Sequence, residues 1–167
     1  MAASDETQYS DEYWMRYALE QATLAADKNE VPVGAVVVVD NMLVASAYNR
    51  PIEGCDPTAH AEILALREAA EKLGNYRLLN ASLYVTLEPC TMCVGAMVHA
   101  RIARLVYGAC EYKTGAVESA FQLLTADAHN HTIDVQSGVL EVPCREILQA
   151  FFKRRRDEKR KLKAQSQ

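Results

Sequence analysis

Residues 82–97 read "SLYVTLEPCTMCVGAM", and the change of pattern inside this stretch indicates the class of fold. Residues 82–88 are mostly apolar, aromatic or β-branched, which is typical of a strand. Pro89 suits the first position of a helix, so residues 90–100 are predicted to form a short one. A strand that leads directly into a helix is the repeating unit of an α/β protein.

The neighbouring segments repeat this unit. "IARLVYGA", at residues 102–109, predicts the next strand. "DPTAHAEILALREAA", at residues 56–70, predicts an amphipathic helix with Asp56 as its N-cap and Pro57 as its first residue. Together these segments predict a sheet covered by helices and joined through right-handed crossovers.

The ends of the chain add further elements. Ser10 is predicted to cap a first helix that ends near Asn29, and two apolar runs at residues 31–49 predict a hairpin that turns at Asp40 and Asn41. Farther on, the sequence predicts a short helix at residues 117–124, a strand at residues 131–136 and a final helix that Pro143 opens.

The composition is that of a globular protein. The chain has 167 residues, of which 50% are hydrophobic and 24% are charged, so we expect a single domain over residues 1–167. Neither a targeting segment nor a membrane span is recognisable, which predicts a cytoplasmic protein without membrane contact. Five cysteines, an odd number, argue against a disulfide framework and leave metal binding or catalysis open.

Positive charge is concentrated near the C-terminus. The net charge is −4, but residues 153–163 hold eight basic and two acidic side chains, a local +6 that leaves −10 on the rest. A basic helix at about residues 143–163 on an acidic body favours a polyanionic partner, with nucleic acid first among them. The alternative is a solvated helical tail that only aids solubility.

His60, Cys90 and Cys93 form a candidate metal site. Cys90 and Cys93 share one face of the first turn of their helix, where its dipole favours thiolates. Two thiolates and an imidazole suit zinc, and three protein ligands leave an open position for water. A redox cysteine pair is one alternative, and a structural zinc site is another, whose fourth ligand would come from the following residues: Cys55, Cys110, His99, His129 or His131.

Glu62 is the candidate proton carrier beside this site. A zinc-bound water has a pKa nearer 7 than 15.7, and a carboxylate next to it can take its proton and pass it to a substrate. In a regular helix His60 and Glu62 would point roughly 200° apart, so the substrate must lie between them at the helix end. The alternative is a His with a local hydrogen bond and a Glu that complements the helix dipole.

The pattern His-x-Glu followed by Pro-Cys-x-x-Cys is the known signature of zinc nucleobase deaminases. The stretches "VPVGAV", "YNRP", "DPTAHAEI", "NYRL", "LYVTLEPCTMCVGAM", "KTGA" and "RRR" extend the likeness over nearly the whole chain. On these motifs the chain resembles the bacterial tRNA-specific adenosine deaminases, within the cytidine deaminase-like superfamily.

The resemblance implies a three-layer α/β/α fold with a central mixed five-stranded sheet, and a homodimer with one Zn²⁺ per subunit. It also implies deamination of adenosine to inosine at the wobble position of a tRNA anticodon, usually that of an arginine tRNA. A zinc-bound hydroxide would attack adenine C6, with Glu62 as the proton shuttle. A single-stranded anticodon loop suits this chemistry because its bases leave the stack at low cost.

The resemblance also implies substrate contacts. Asn49 would hydrogen-bond the target nucleotide, although Asn also commonly caps turns. Glu111 stands where the family usually has Asp, so a close contact there with the nucleotide sugar is in question. Phe152 would offer an aromatic surface or belong to the core. The full set of implied substrate residues is Asn49, Ala61, Glu111, Asn130, Phe152, Arg155 and Arg156.

Two other functions fit parts of the sequence. A deaminase of a free base or nucleoside, such as guanine or cytosine, would share the zinc chemistry but would not require the basic helix. A zinc-stabilised RNA-binding module without catalysis would use the metal and the basic helix, but it would have no use for Glu62, a carboxylate outside the ligand set.

Overall fold

The computed structural model describes residues 8–125, 127 and 129–166, so residues 1–7, 126, 128 and 167 of the expected domain lie outside it. Its helices and strands, in chain order, are α1 (Asp11–Asp27), β1 (Gly34–Val39), β2 (Met42–Tyr48), α2 (Ala61–Leu73), β3 (Ser82–Leu87), α3 (Thr91–Ala100), β4 (Arg104–Ala109), β5 (Asp134–Gln136) and α4 (Glu141–Gln165). No described helix is both long enough and apolar enough to traverse a lipid bilayer.

The five strands form one mixed sheet in the order β2-β1-β3-β4-β5. β1 is antiparallel to both β2 and β3, whereas β3, β4 and β5 run parallel to one another. The hairpin turns at Asp40 and Asn41 as predicted, and both residues have the positive φ that a tight hairpin turn requires. The carboxyl ends of β2, β3 and β4 therefore lie at the same edge of the sheet.

Helices cover both faces of the sheet, which confirms the predicted three-layer α/β/α fold. α1 and α4 pack on one face, where Val36, Tyr84 and Val106 meet Trp14 and Cys144. α2 and α3 pack on the other face, against alternate residues of the same strands. β1 is buried on both faces, as expected for a central strand whose residues are apolar throughout.

The first helix is fastened to the sheet at its start and near its middle. Ser10 accepts a hydrogen bond from the backbone N–H of Tyr13, as predicted for the N-cap. The Asp11 carboxylate then pairs with Arg104 at the start of β4, with 2.8 Å between Oδ2 and Nη2. Near the middle of α1, the backbone lies so close to Gly34 that a Cβ there would be 1.9 Å from the Ala18 carbonyl oxygen.

Two helix starts differ from the prediction. α2 begins at Ala61, with His60 as its N-cap, and not at Asp56 and Pro57. Asp56 instead accepts hydrogen bonds from the backbone N–H and the hydroxyl of Thr58, closing a local turn that ends before the helix begins. α3 begins at Thr91 with Cys90 as its N-cap, so Pro89 precedes the helix and is not its first residue.

The predicted helix at residues 117–124 is wrong. The backbone N–H groups of Phe121 and Leu123, which a helix would direct to the carbonyls of residues 117 and 119, donate instead to the carbonyls of Gly115 and Ala116. The N–H groups of residues 117–119 donate to the carboxylate of Glu88. Only a short 3-10 turn forms, at Leu123–Thr125. The predicted strand at residues 131–136 shortens to the three residues of β5.

The final helix is close to its predicted range. α4 begins at Glu141, so Pro143 is its third residue and not its first. Phe151 is buried, whereas the ring of Phe152 is 44% exposed, which places Phe152 at the edge of the core and not inside it. Arg154 donates to the carbonyl of Ala26 and so ties α4 to the end of α1.

Candidate active site

His60, Cys90 and Cys93 converge at the carboxyl edge of the sheet, where α2 and α3 begin. His60 and Cys90 are the N-caps of these helices, and Cys93 is three residues into α3. The His60 Nδ1 atom lies 3.6 Å from each sulfur, and the two sulfurs are 3.8 Å apart. Two chain segments thirty residues apart therefore deliver three metal-binding atoms to one point.

These spacings fit a tetrahedral zinc ion. With bonds of about 2.3 Å to sulfur and about 2.05 Å to nitrogen, tetrahedral ligands lie about 3.8 Å (sulfur to sulfur) and about 3.6 Å (sulfur to nitrogen) apart. Both values match those found here. In the part of the chain that the structure describes, no fourth Cys, His or carboxylate joins the group. The donor set is therefore that of a three-ligand catalytic site more than that of a closed structural one.

The cluster is electrostatically prepared for a cation. The hydrogen bond from the Cys93 thiol, supported by one from His60, lowers the pKa of Cys90 to about 3, despite the opposing effect of burial. The pKa of Cys93 is raised because its thiol donates to Cys90 and is buried. One thiolate is thus present at neutral pH, and the proton on Cys93 is the one that metal binding would release.

Glu62 lies beside the cluster in a nearly dry position. It is the second residue of α2, its side chain is only 4% exposed, and its carboxyl group hydrogen-bonds Cys93. Burial raises its pKa, so its carboxyl group holds a proton more readily than that of an exposed glutamate. Because His60 precedes the helix, the divergence expected for two helical residues does not apply, and His60 and Glu62 face the same cavity.

That cavity, here called the metal pocket, has a volume of about 260 Å³. Its apolar walls come from Val31, Val33 and Leu87, which lie beside the carboxyl ends of β2 and β3. A ligand site at this edge of an α/β sheet is the usual arrangement. The polar side chains that line it are Asn49, His60, Glu62, Glu88, Cys90, Glu111 and Thr114.

The implied substrate residues are distributed over three places. Asn49 and Glu111 line the metal pocket, and Ala61 is fully buried at the start of α2. Phe152 and Arg156 line a groove of about 440 Å³ between α4 and the loop that carries Cys110 and Lys113. Arg155 lies on the adjoining groove along α4. Asn130 lines a separate cavity, described below, and not the metal pocket.

Two buried carboxylates that the sequence analysis did not identify hold the loops around the pocket. Glu30 accepts the backbone N–H of Glu53 and so holds the loop that follows Asn49. Glu88 accepts the N–H groups of residues 111, 117, 118 and 119 and the hydroxyl of Ser119, which fixes the loop that carries Glu111. A glutamate directly after an apolar strand was the available signal for Glu88, whereas Glu30 lies between α1 and β1 without such a signal.

Replacing Glu88 with Gln is expected to lower the free energy of unfolding by about 1 to 3 kcal/mol, because hydrogen bonds to a buried charged acceptor are lost. The amide group would also direct N–H groups toward backbone donors. Urea titration of Glu88→Gln against Glu20→Gln, an exposed change on α1, measures this effect. Equal stability of the two variants would contradict the assigned role.

The other three cysteines are separate from the metal cluster. Cys144 is fully buried against Gly108, and burial raises its pKa to about 12, so it is a packing residue. Cys55 is exposed in the loop before α2, and Cys110 lines the groove beside α4. None of the three contributes to the metal-binding group that the described residues form.

Comparison with known proteins gives a consistent family. Residues 9–156 match the MafB19-like deaminase family. The tRNA-specific adenosine deaminase of Haemophilus influenzae is 54% identical over 155 residues, which cover 92% of this chain and 90% of that protein. A solved structure from work on A-to-I editing by tRNA:A34 deaminases at the wobble position is 49% identical, with a TM-score of 0.80, covering 81% of this chain and 99% of that one.

A guanine deaminase from Nitrosomonas europaea is also similar in structure. Its TM-score is 0.71 at 27% identity, and the match covers 90% of this chain and 85% of that one. The fold is therefore shared by enzymes with different substrates, while sequence identity is higher to the enzymes that act on tRNA.

Proposed function

The chain belongs to the MafB19-like deaminase family and, within it, to the tRNA-specific adenosine deaminases; on this premise we propose that it converts adenosine to inosine at the wobble position of a tRNA anticodon with the help of zinc. The observation that carries the proposal is the tetrahedral spacing of His60, Cys90 and Cys93 beside the buried carboxyl group of Glu62. The reaction is a hydrolysis that edits RNA.

His60, Cys90 and Cys93 are the residues that would hold the zinc ion, one per subunit. When bound, zinc lowers the pKa of water to near 7 and so supplies a nucleophile at neutral pH. In the overall reaction a water oxygen bonds to adenine C6, the bond from C6 to the amino nitrogen breaks, and ammonia leaves.

Glu62 is the proton carrier in this proposal. Its raised pKa, which burial causes, lets the carboxyl group accept a proton from water and return it to the adenine as the amino group leaves. Because Glu62 itself is only 4% exposed, bulk water has little access to that proton. Asn49, buried at the end of β2, is the candidate donor or acceptor for the target nucleotide.

The substrate is best explained as a single-stranded loop of RNA. A cavity of about 260 Å³ has room for one base with its sugar but not for the stacked neighbours of that base, so the target must be unstacked, which an anticodon loop allows at low cost. Phe152 offers an exposed ring for stacking, and Arg155 and Arg156 offer charge for phosphates on the same helix. Homodimer formation and a cytoplasmic location belong to the same proposal.

The test is to supply the zinc-loaded protein with an anticodon stem-loop that bears a wobble adenosine, and in parallel with free adenosine, cytidine and guanine. We expect inosine in the stem-loop and no conversion of the small substrates. Conversion of guanine or of a free nucleoside, with the stem-loop unchanged, would retain the zinc chemistry and overturn the proposed substrate.

A further inference from the structure

Ion pairing divides the basic side chains of the protein body into two groups. Outside residues 153–163 the chain has ten Lys and Arg residues. Six of them pair with carboxylates, as Arg16 does with Glu12 and Arg67 with Asp56. Within the described part of the chain, the basic residues of the body that form no such ion pair are Arg50, Arg77, Arg101 and Lys113.

These four cations occur in two places. Arg50 and Lys113 belong to the loops around the metal pocket, where their chain neighbours line the cavity. Arg77 and Arg101 line a second cavity of about 280 Å³, here called the cationic pocket. Its other lining residues are Tyr76, Val98, His99, His129 and Asn130, and none of its lining residues is acidic.

Two hydrogen bonds hold the walls of the cationic pocket together. The N–H of Leu78 donates to the carbonyl of Ala100 at 2.7 Å, which joins the segment after α2 to the end of α3. The His131 ring nitrogen Nε2 is 2.6 Å from the carbonyl oxygen of Ile102. This contact joins the segment that carries His129 and Asn130 to the residues that follow α3. The cations are therefore carried by backbone that is ordered before any ligand arrives.

The chemistry of this pocket suits a phosphodiester. Two guanidinium groups and two imidazole rings provide several N–H donors, and arginine is well matched to phosphate oxygens. Tyr76 is 67% exposed, and the Arg77 guanidinium lies 5.5 Å from the centre of its ring, which gives a surface on which a base can stack. The dipole of α3 accounts for basic residues at positions 99 and 101, but Arg77 and His129 come from other segments.

We propose that the cationic pocket binds the phosphate backbone of the RNA substrate, away from the nucleotide that reacts. This inference rests on the proposed function, since a tRNA supplies the polyanion. In one chain the two pockets lie at opposite ends of α3, which is about 15 Å long at 1.5 Å per residue. At about 3.4 Å per nucleotide of a stacked strand, that separation corresponds to about four nucleotides.

The test compares Arg77→Gln/Arg101→Gln with Arg16→Gln/Arg67→Gln, a control that removes the same charge from two exposed arginines that form ion pairs. The measured quantity is the dissociation constant for the anticodon stem-loop at several salt concentrations. We expect the pocket variant to bind about tenfold more weakly at 0.1 M salt and its salt slope to fall by about 1 to 2, whereas the control stays within about twofold of wild type.

A charge-conserving variant separates charge from folding. Arg77→Lys/Arg101→Lys is expected to keep most of the wild-type salt slope, because lysine also neutralises phosphates. A Gln variant whose affinity and slope equal those of the control would overturn the inference. A change in oligomeric state with an unaltered slope would do the same, because the pocket would then be a contact between copies of the chain.

The outcomes also separate this inference from the proposed function. If wild type binds and deaminates the stem-loop while the Gln variant matches the control, the proposed function stands and only the cationic pocket is excluded as an RNA-binding site. If wild type neither binds nor deaminates it, the proposed function fails and the inference fails with it.

Discussion

Glu62→Gln is expected to reduce the rate of inosine formation by about 10³-fold while the protein keeps its zinc. Gln has nearly the same shape as Glu and can retain the contact with Cys93, but it cannot accept a proton from water or return one to the adenine. The loss should appear in kcat, since the carboxyl group acts on the reacting atoms. Single-turnover kinetics at saturating stem-loop measure the loss of rate, and atomic absorption measures the zinc content.

Glu71→Gln is the matched control for this variant. Glu71 is on the same helix, near its other end, and is exposed, so its replacement should leave both rate and zinc content unaltered. Full activity of Glu62→Gln would exclude Glu62 as the proton carrier. Loss of zinc from that variant would show instead that Glu62 supports the metal site.

Cys90→Ala is expected to lower zinc content from about one ion per subunit to below about 0.1 and to abolish deamination. Removing one of three protein ligands leaves His60 and Cys93 too few to hold zinc against a chelator. The side chain of Cys90 makes no capping hydrogen bond, so its loss should not in itself unfold α3. A chelator should lower the Tm of wild type and leave that of Cys90→Ala unchanged, because only wild type gains stability from bound metal.

Cys55→Ala provides the comparison, since this cysteine is exposed and lies outside the cluster. It should retain zinc, activity and the response of the Tm to chelator. Cys90→Ala protein with normal zinc content and normal turnover would show that the metal, if any, is bound elsewhere.

The three-layer arrangement was implied by the resemblance to a family, whereas local patterns were sufficient to predict a sheet covered by helices and two cysteines on one face of a helix. Each of these features depends on residues close together in the chain: a strand that leads into a helix, or two cysteines on one helical turn. The helix starts were less predictable because side chains competed for the same backbone groups. At Asp56 the hydrogen bonds to Thr58 close a turn, and the helix begins only at Ala61.

Features that depend on distant residues were not predictable from one sequence. Glu88 holds backbone N–H groups up to 31 residues away and so shapes the wall of the metal pocket, in the segment where the sequence predicted a helix. The cationic pocket was likewise invisible, because whether an arginine is ion-paired depends on three-dimensional neighbours. Asn130 was identified only by resemblance, and its place beside Arg77 and Arg101 became evident from the fold.

The most direct test of the central claim is to map inosine by position in an unmodified tRNA that has adenosine at the wobble position and elsewhere in its loops. The zinc-loaded protein is predicted to place inosine at the wobble position alone, and the Glu62→Gln variant is predicted to place none. Inosine spread over other loop adenosines, or equal amounts with and without an intact Glu62, would contradict the account.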